Sequence, residues 1–209
     1  MTVEQSPPSN WILAISGASG AALGRCALEM LLADGRVARL VLVVSRHARR
    51  VAEAELGIAG GNDSAADFTA RLLGRGPALP AHLQVLEPED IGAAIASGSY
   101  PGSGMLIAPC SMGTLAAIAH GLSDNLIERA ADVYLKERRR LVLAVRESPL
   151  SLVHLRNMTA VTEAGAVVFP VMPAFYDLAA TPADSLRQFT ARLLAALGLP
   201  QAFAFQWPG

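Results

Sequence analysis

Apolar residues along this chain come mostly in short runs, with Gln84 the one polar residue inside them, and not in alternation with polar ones. Runs at residues 11–15, 40–44, 83–86, 105–108, 141–145 and 166–169 each end at a polar, proline or glycine-rich break, and most lead into a stretch of helical period. A strand that is apolar on both sides belongs inside a sheet covered on both faces, so these runs read as buried parallel strands. After the first run, Leu23, Cys26, Ala27, Met30 and Leu31 share one helical face, with Gly35 near the stop. Helices are also expected from Ser45 through Glu55, over 68–73, over 89–96, from Pro109-Cys110-Ser111-Met112-Gly113-Thr114 onward, around Arg129 and Lys136, and over 150–163. Thr181 caps a last amphipathic helix through Leu197, with Leu186, Phe189, Leu193 and Leu197 inward. Residues 57–67, rich in Gly, Ala, Ser and Asp, read as a variable loop without chemistry.

This alternation predicts an α/β fold: a single doubly wound, mostly parallel, Rossmann-like sheet with helices on both faces. No repeat or linker divides the chain, so residues 1–209 are expected to form one domain, with 1–10 a flexible N-terminus and 198–209 a C-terminal tail. Parallel strands bring the segments that follow them to one rim, where open α/β sheets hold their ligands. That rim collects Ser16 to Ala21, Ser45, Ser111 to Thr114, Arg146-Glu147 and Pro173 to Tyr176. Hydroxyls, backbone donors, cations, a carboxylate and an aromatic ring in one crevice suit a phosphorylated, planar ligand such as a flavin nucleotide. Ser16-Gly17-Ala18-Ser19-Gly20-Ala21 is small enough for its N–H groups to approach a phosphate. It departs from G-x-G-x-x-G, however, and Ser45-Arg46 stands where that motif needs an acid. Ser111 equally suits ordinary helix capping. Arg129 and Lys136, seven residues apart, leave the same helical face toward one doubly charged anion, whereas Glu137 to Arg140 read as a solvated helix end.

Composition changes this picture in two ways. Of 209 residues, 52% are hydrophobic and only 17% charged, a surface thin in charge for a lone globule, so contacts between copies are expected. The net charge of -1 gives no general pull toward nucleic acid or an anionic membrane, so any anion site is local. No apolar run nears the roughly 20 residues of a membrane span, and residues 1–10 lack a signal-peptide layout, which points to the cytoplasm. Cys26 and Cys110 form no C-x-x-C pair, and His47, His82, His120 and His154 lack metal-ligand spacing, so no metal is expected.

One combination of motifs goes further. Ile15-Ser16-Gly17-Ala18-Ser19-Gly20-Ala21, Pro109 to Thr114, Asp124-Asn125-Leu126-Ile127, Arg129-Ala130-Ala131-Asp132-Val133, Leu135-Lys136-Glu137-Arg138-Arg139, Arg146-Glu147-Ser148-Pro149-Leu150, His154-Leu155 with Asn157-Met158, and Pro173-Ala174-Phe175-Tyr176 closely resemble the UbiX-type flavin prenyltransferases. That family was long described as phenylacrylic acid or 3-octaprenyl-4-hydroxybenzoate carboxy-lyase subunits. The resemblance runs in family order from Trp11 to Trp207. It implies a metal-independent transferase that joins a dimethylallyl group from dimethylallyl phosphate to N5 and C6 of reduced FMN. The prenylated FMN product then passes to a UbiD-type decarboxylase. It also implies a large homo-oligomer, a dodecamer by family, with sites at subunit junctions, and makes the expected domain a flavin-binding one whose 198–209 tail closes on the site.

By the same resemblance Gly17, Ala18 and Ser19 lie against the flavin, Ser45, Ser111, Met112, Gly113 and Thr114 hold its phosphate and ribityl chain, and Arg146 also touches FMN. Arg129 and Lys136 from a neighbouring subunit, with Tyr176 and Arg192, meet the phosphate of the prenyl donor. Glu147 is the acid that eases phosphate departure, Ser19 and Glu55 assist near N5, and Trp207 walls the site; Glu53 takes the place of Glu55 under a small realignment. Two departures stand out. Asp177-Leu178-Ala179 follows Tyr176 where the family has His or Asn and then Pro, and Ala195 replaces an Asp after Arg192-Leu193-Leu194. Two alternatives keep the fold: an FMN-dependent cysteine decarboxylase, whose Pro-Ala-Ser-Ala-Asn-Thr motif differs from Pro109 to Thr114, and a protein that only binds or stores flavin.

Overall fold

The computed structural model describes residues 9–59, 63–76, 78–175 and 181–205. Its strands β1 (Ser9–Ile15), β2 (Val37–Val44), β3 (Leu83–Leu86), β4 (Gly102–Cys110), β5 (Arg140–Val145) and β6 (Val167–Val168) form one sheet in the order β3-β2-β1-β4-β5-β6. Every pairing is parallel. Side chains alternate across the pleat, so Trp11, Leu13 and Ile15 enter one core while Ile12 and Ala14 enter the other. Helices α1 (Ala21–Ala33), α3 (Ala65–Leu72) and α7 (Pro182–Leu197) cover the first face. Helices α4 (Met112–Ala119), α5 (Leu126–Lys136) and α6 (Leu152–Glu163) cover the second. The chain winds outward from β1 in both directions, which opens a crevice between the exits of β1 and β4.

Several boundaries differ from the sequence reading. Ser9 and Asn10 are not part of a flexible N-terminus but the first residues of β1, and the Asn10 side chain donates to the Pro101 carbonyl at 3.2 Å. Residues 89–96 form successive turns and only a 3-10 turn at Ala94–Ala96, because a stretch this short, interrupted by Gly92, cannot nucleate an α-helix. Helix α3 starts inside the expected loop, at Ala65, since the Ser64 hydroxyl accepts from the Asp67 N–H at 3.1 Å. Strand β4 begins three residues before its apolar run, where a Cβ on Gly104 would lie 2.5 Å from the Trp11 ring.

The 137–140 segment is also more than a solvated helix end. Arg138 adopts φ 56 and stops α5, which turns Arg139 inward to donate to the carbonyls of Tyr100 and Gly98, each at 2.6 Å. Arg140 opens β5 and donates to the Ala196 carbonyl at 3.0 Å. These cations satisfy carbonyls at the N-terminal edge of the sheet, away from the rim.

Candidate active site

Ser16 follows β1 and is 2% exposed. Its hydroxyl donates to the Pro109 carbonyl at 3.0 Å and accepts from the Ser111 N–H at 2.8 Å, while its own N–H donates to Pro109 at 3.2 Å. One buried side chain thus ties the exits of β1 and β4 together and sets the floor of the crevice. Beyond it, Gly17 has a steric reason: a Cβ there would sit 2.5 Å from the Cβ of His47.

His47 belongs to α2 (Arg46–Leu56), capped at its start by the Ser45 hydroxyl, which accepts from Ala48 N–H at 3.1 Å. The last turn of this helix reaches the start of α1. Glu55 accepts from the Gly20 N–H at 3.1 and 3.0 Å and from the Ala21 N–H at 2.7 Å. Helix α2 therefore crosses the rim instead of descending the sheet. Gly20 has no side chain with which to cap α1, and Glu55 supplies the missing acceptor from outside. Burial alone would raise the Glu55 carboxyl, but donation from the Ser19 hydroxyl, the N–H groups of Ala21 and Gly20, and the charge of Arg146 bring it below its ordinary value. Glu55, not Glu53, is thus the carboxylate beside Ser19. Glu55 thereby takes the N–H groups of Gly20 and Ala21, two of the donors that the small residues of this turn offer.

Donors for an anion remain elsewhere on the rim. The Ser111 hydroxyl caps α4, accepting from the Thr114 N–H at 3.2 Å and donating to the Thr114 hydroxyl at 3.1 Å. Thr114 then keeps its own O–H to offer outward, as does Ser45, whose cap uses only an acceptor lone pair. Met112 and Gly113 add first-turn N–H groups that no helix carbonyl can reach. Capping and ligand binding are compatible in these residues. Hydroxyls and N–H donors without a fixed positive charge match the phosphate and ribityl chain of FMN, so the residues present fit that group.

At the exit of β5, the Arg146 N–H donates to the Cys110 carbonyl at 3.1 Å, and Glu147 accepts from the Ser148 N–H at 2.9 Å. Both side chains are exposed and line a cavity of about 240 Å³ whose apolar walls include Val145, Leu150, Met158, Val171 and Met172. Cys110, by contrast, is fully buried, and burial pushes its thiol up to about 12, so it takes no part as a nucleophile.

Of the remaining candidates among the described residues, Lys136 does not reach this rim within one chain. Arg129 pairs with Asp132 at 2.8 Å one turn into α5, and Lys136 pairs with Glu137 beside Gly98, at the N-terminal edge of the sheet. Arg192 is exposed on the outer face of α7. Tyr176, Asp177 and Trp207 lie outside the described residues. The start of the C-terminal tail does not close on the chain's own site: Gln201 and the Pro200 carbonyl bond to Asp34 and Arg36, each at 3.0 Å, just before β2 begins. From there the tail runs back along α7, with the Phe205 N–H donating to Gln188 at 2.9 Å and Arg187 lying 4.5 Å over the Phe203 ring. Ser16 was legible as part of a turn but not as a clasp, since nothing local marks a hydroxyl that bonds across 93 residues.

The flavoprotein family model matches residues 2–192. The flavin prenyltransferase UbiX of Neisseria meningitidis serogroup B is 45% identical over 199 residues, which span 95% of this chain and 96% of the relative. The chain belongs to the UbiX flavin prenyltransferase family. Solved UbiX structures share its architecture. AnUbiX (PadA1), in complex with FMN and dimethylallyl pyrophosphate, superposes with a TM-score of 0.82 at 40% identity, covering 97% of this chain and 98% of that one. A dodecameric FMN-dependent UbiX-like decarboxylase from Escherichia coli O157:H7 gives 0.81 at 40% identity, covering 96% and 100%.

Proposed function

We propose that this UbiX-family chain joins a dimethylallyl group from dimethylallyl phosphate to N5 and C6 of reduced FMN, and that prenylated FMN leaves for a UbiD-type decarboxylase. The observation that carries this reading is the meeting of three chemistries on one rim in a chain 45% identical to a flavin prenyltransferase. Neutral donors at Ser45 and Ser111 to Thr114 take the flavin phosphate and ribityl chain. The Ser19–Glu55 pair stands at the α1 turn, against which the flavin ring lies with Gly17 and Ala18. Arg146 and Glu147 flank an apolar cavity of about 240 Å³ for the prenyl group.

The chemistry asks for these parts. When the allylic C–O bond breaks, the electron pair leaves on phosphate and the allylic carbon becomes electron-poor. Cations then stabilise the phosphate and a proton donor lowers the cost of its departure. Glu147 is that donor. Arg129 and Lys136 of a neighbouring subunit, with Arg192 and Tyr176, are assigned to the donor phosphate, and Trp207 to the wall.

Lys136 lies away from its own rim, so its assignment to the donor phosphate requires a homo-oligomer with sites at subunit junctions. An apolar face supports one: Leu152, Val153 and Leu155 on α6 are 61%, 62% and 47% exposed. A dodecamer, as described for the Escherichia coli neighbour, is the assembly we infer. Reduced flavin as a substrate and two unpaired thiols, Cys26 and Cys110, suit a reducing cytoplasm. Among the described residues no helix is long and apolar enough to cross a membrane.

Phosphate release tests the reading. Mixed anaerobically with dimethylallyl monophosphate, the protein is expected to liberate phosphate only when reduced FMN is present. Glu147→Gln is expected to slow that release about 100-fold while leaving FMN affinity nearly unchanged. Release that ignores flavin, or equal loss of rate and FMN affinity in the variant, overturns it.

A further inference from the structure

Helix α2 presents one stripe of side chains to the β1–α1 turn. Residues four apart on a helix stand one above the other, so His47, Val51 and Glu55 share a face. Both ends of that face touch the turn. Glu55 accepts from the Gly20 and Ala21 N–H groups, and the His47 Cβ lies 2.5 Å from where a Cβ on Gly17 would stand. The His47 Cα is 3.5 Å from the same point, so the side chain leaves α2 toward Gly17 and not away from it. Val51, between the two ends, is partly buried against the core of the first sheet face.

The cations beside His47 are engaged elsewhere or stand apart. Arg46 pairs with Glu89 at 2.7 Å, and Arg49 donates to the Asp63 carbonyl and to Glu87, each at 2.7 Å. Both of those glutamates follow β3, on the far side of α2 from the turn. Arg50 is exposed, about one turn further along the helix. His47 is exposed too, but over the turn, and its imidazole bonds to no described residue.

We infer that His47 is a further flavin-contacting residue, whose imidazole donates to the anionic side of the reduced flavin ring. The inference rests on the flavin reading of the rim, in which Gly17 lies against that ring. Charge gives it its direction. Reduction leaves a negative charge on the flavin, at N1 and the C2 carbonyl, and the charge bonded directly to the turn is the Glu55 carboxylate, of the wrong sign for an anion. Imidazole supplies an N–H donor in either protonation state and a positive charge when protonated. Ser45 and Ser111 to Thr114 serve the phosphate and ribityl chain, which leaves His47 for the ring that lies on Gly17.

Anaerobic titrations with reduced FMN, oxidised FMN and reduced riboflavin test this. Only the first and third carry the anionic ring, and only the first two carry the phosphate. His47→Ala keeps the Cβ that packs on Gly17 and removes the imidazole alone. It is expected to weaken reduced FMN and reduced riboflavin about fivefold each, and oxidised FMN less than about twofold. Equal loss for the two forms of FMN with none for riboflavin places the imidazole on the phosphate and overturns the inference, as does unchanged affinity for all three. Arg50→Ala is expected to change none of them; a loss there equal to that of His47→Ala reports general surface attraction and overturns it too. A wild-type protein that binds neither form of FMN overturns the flavin reading and this inference with it. One that binds both, with His47→Ala unaffected, overturns this inference alone.

Discussion

At the scale of single residues, the rim works by giving each polar group two tasks. Glu55 closes the open start of α1 and, bonded to Ser19, presents a carboxylate beside the β1–α1 turn. Ser111 and Ser45 each cap a helix, and the caps leave the hydroxyl protons of Thr114 and Ser45 unused. The net lowering of the Glu55 carboxyl links site and stability. Its folded value lies below the unfolded one, so its contribution is fully present above the unfolded value, about 4.3, and is lost as pH falls through the lowered folded value. Glu55→Gln is expected to unfold at lower urea by about 1 kcal/mol at pH 7, with the gap to the wild type closing on acidification. A gap that stays constant into strong acid contradicts this account. The type and place of such residues were legible in the sequence, but their partners were not. Glu55 next to Glu53 is one carboxylate among two until the direction of α2 is known, and Arg49 looks like any other cation in Arg46-His47-Ala48-Arg49-Arg50 until it is seen buried.

Among elements, the decisive one is α2. Apolar runs, broken only by Gln84 in β3, identified the strands of the described residues, because burial on both faces leaves a composition that does not depend on what the strand pairs with. The path of α2 left no comparable trace. A helix of charged residues with two buried alanines reads as surface, although it crosses the rim and touches the β1–α1 turn. The expected helix over 89–96 failed for the opposite reason, since favourable residues do not overcome the cost of nucleating so short a segment. The contact between α2 and the turn makes a specific forecast. Gly17→Ala puts a methyl 2.5 Å from the His47 Cβ and is expected to cost about 1–3 kcal/mol and to weaken FMN binding together. Chemical denaturation and flavin titration of the same sample check it. Wild-type stability with wild-type affinity would show that α2 does not press on the turn.

Across the whole molecule, the described chain holds most of a site but not all of one. Ser45, Ser111 to Thr114, Arg146, Glu147 and Glu55 share a rim, while Arg129 and Lys136 stand on a helix whose last turn lies toward the opposite edge of the sheet. The sites proposed at subunit junctions reconcile the two. Mixed oligomers of Glu147→Gln and Lys136→Ala, each nearly inactive alone, are expected to regain part of the wild-type rate, because some junctions then pair an intact Glu147 with an intact Lys136. No recovery after verified subunit exchange would place both residues in one chain's site. The most direct measurement of the central claim is the mass of the flavin recovered after anaerobic incubation of the protein with reduced FMN and dimethylallyl phosphate. A flavin heavier by one five-carbon unit is the predicted result, and FMN recovered unchanged from a protein that binds it tightly would contradict it.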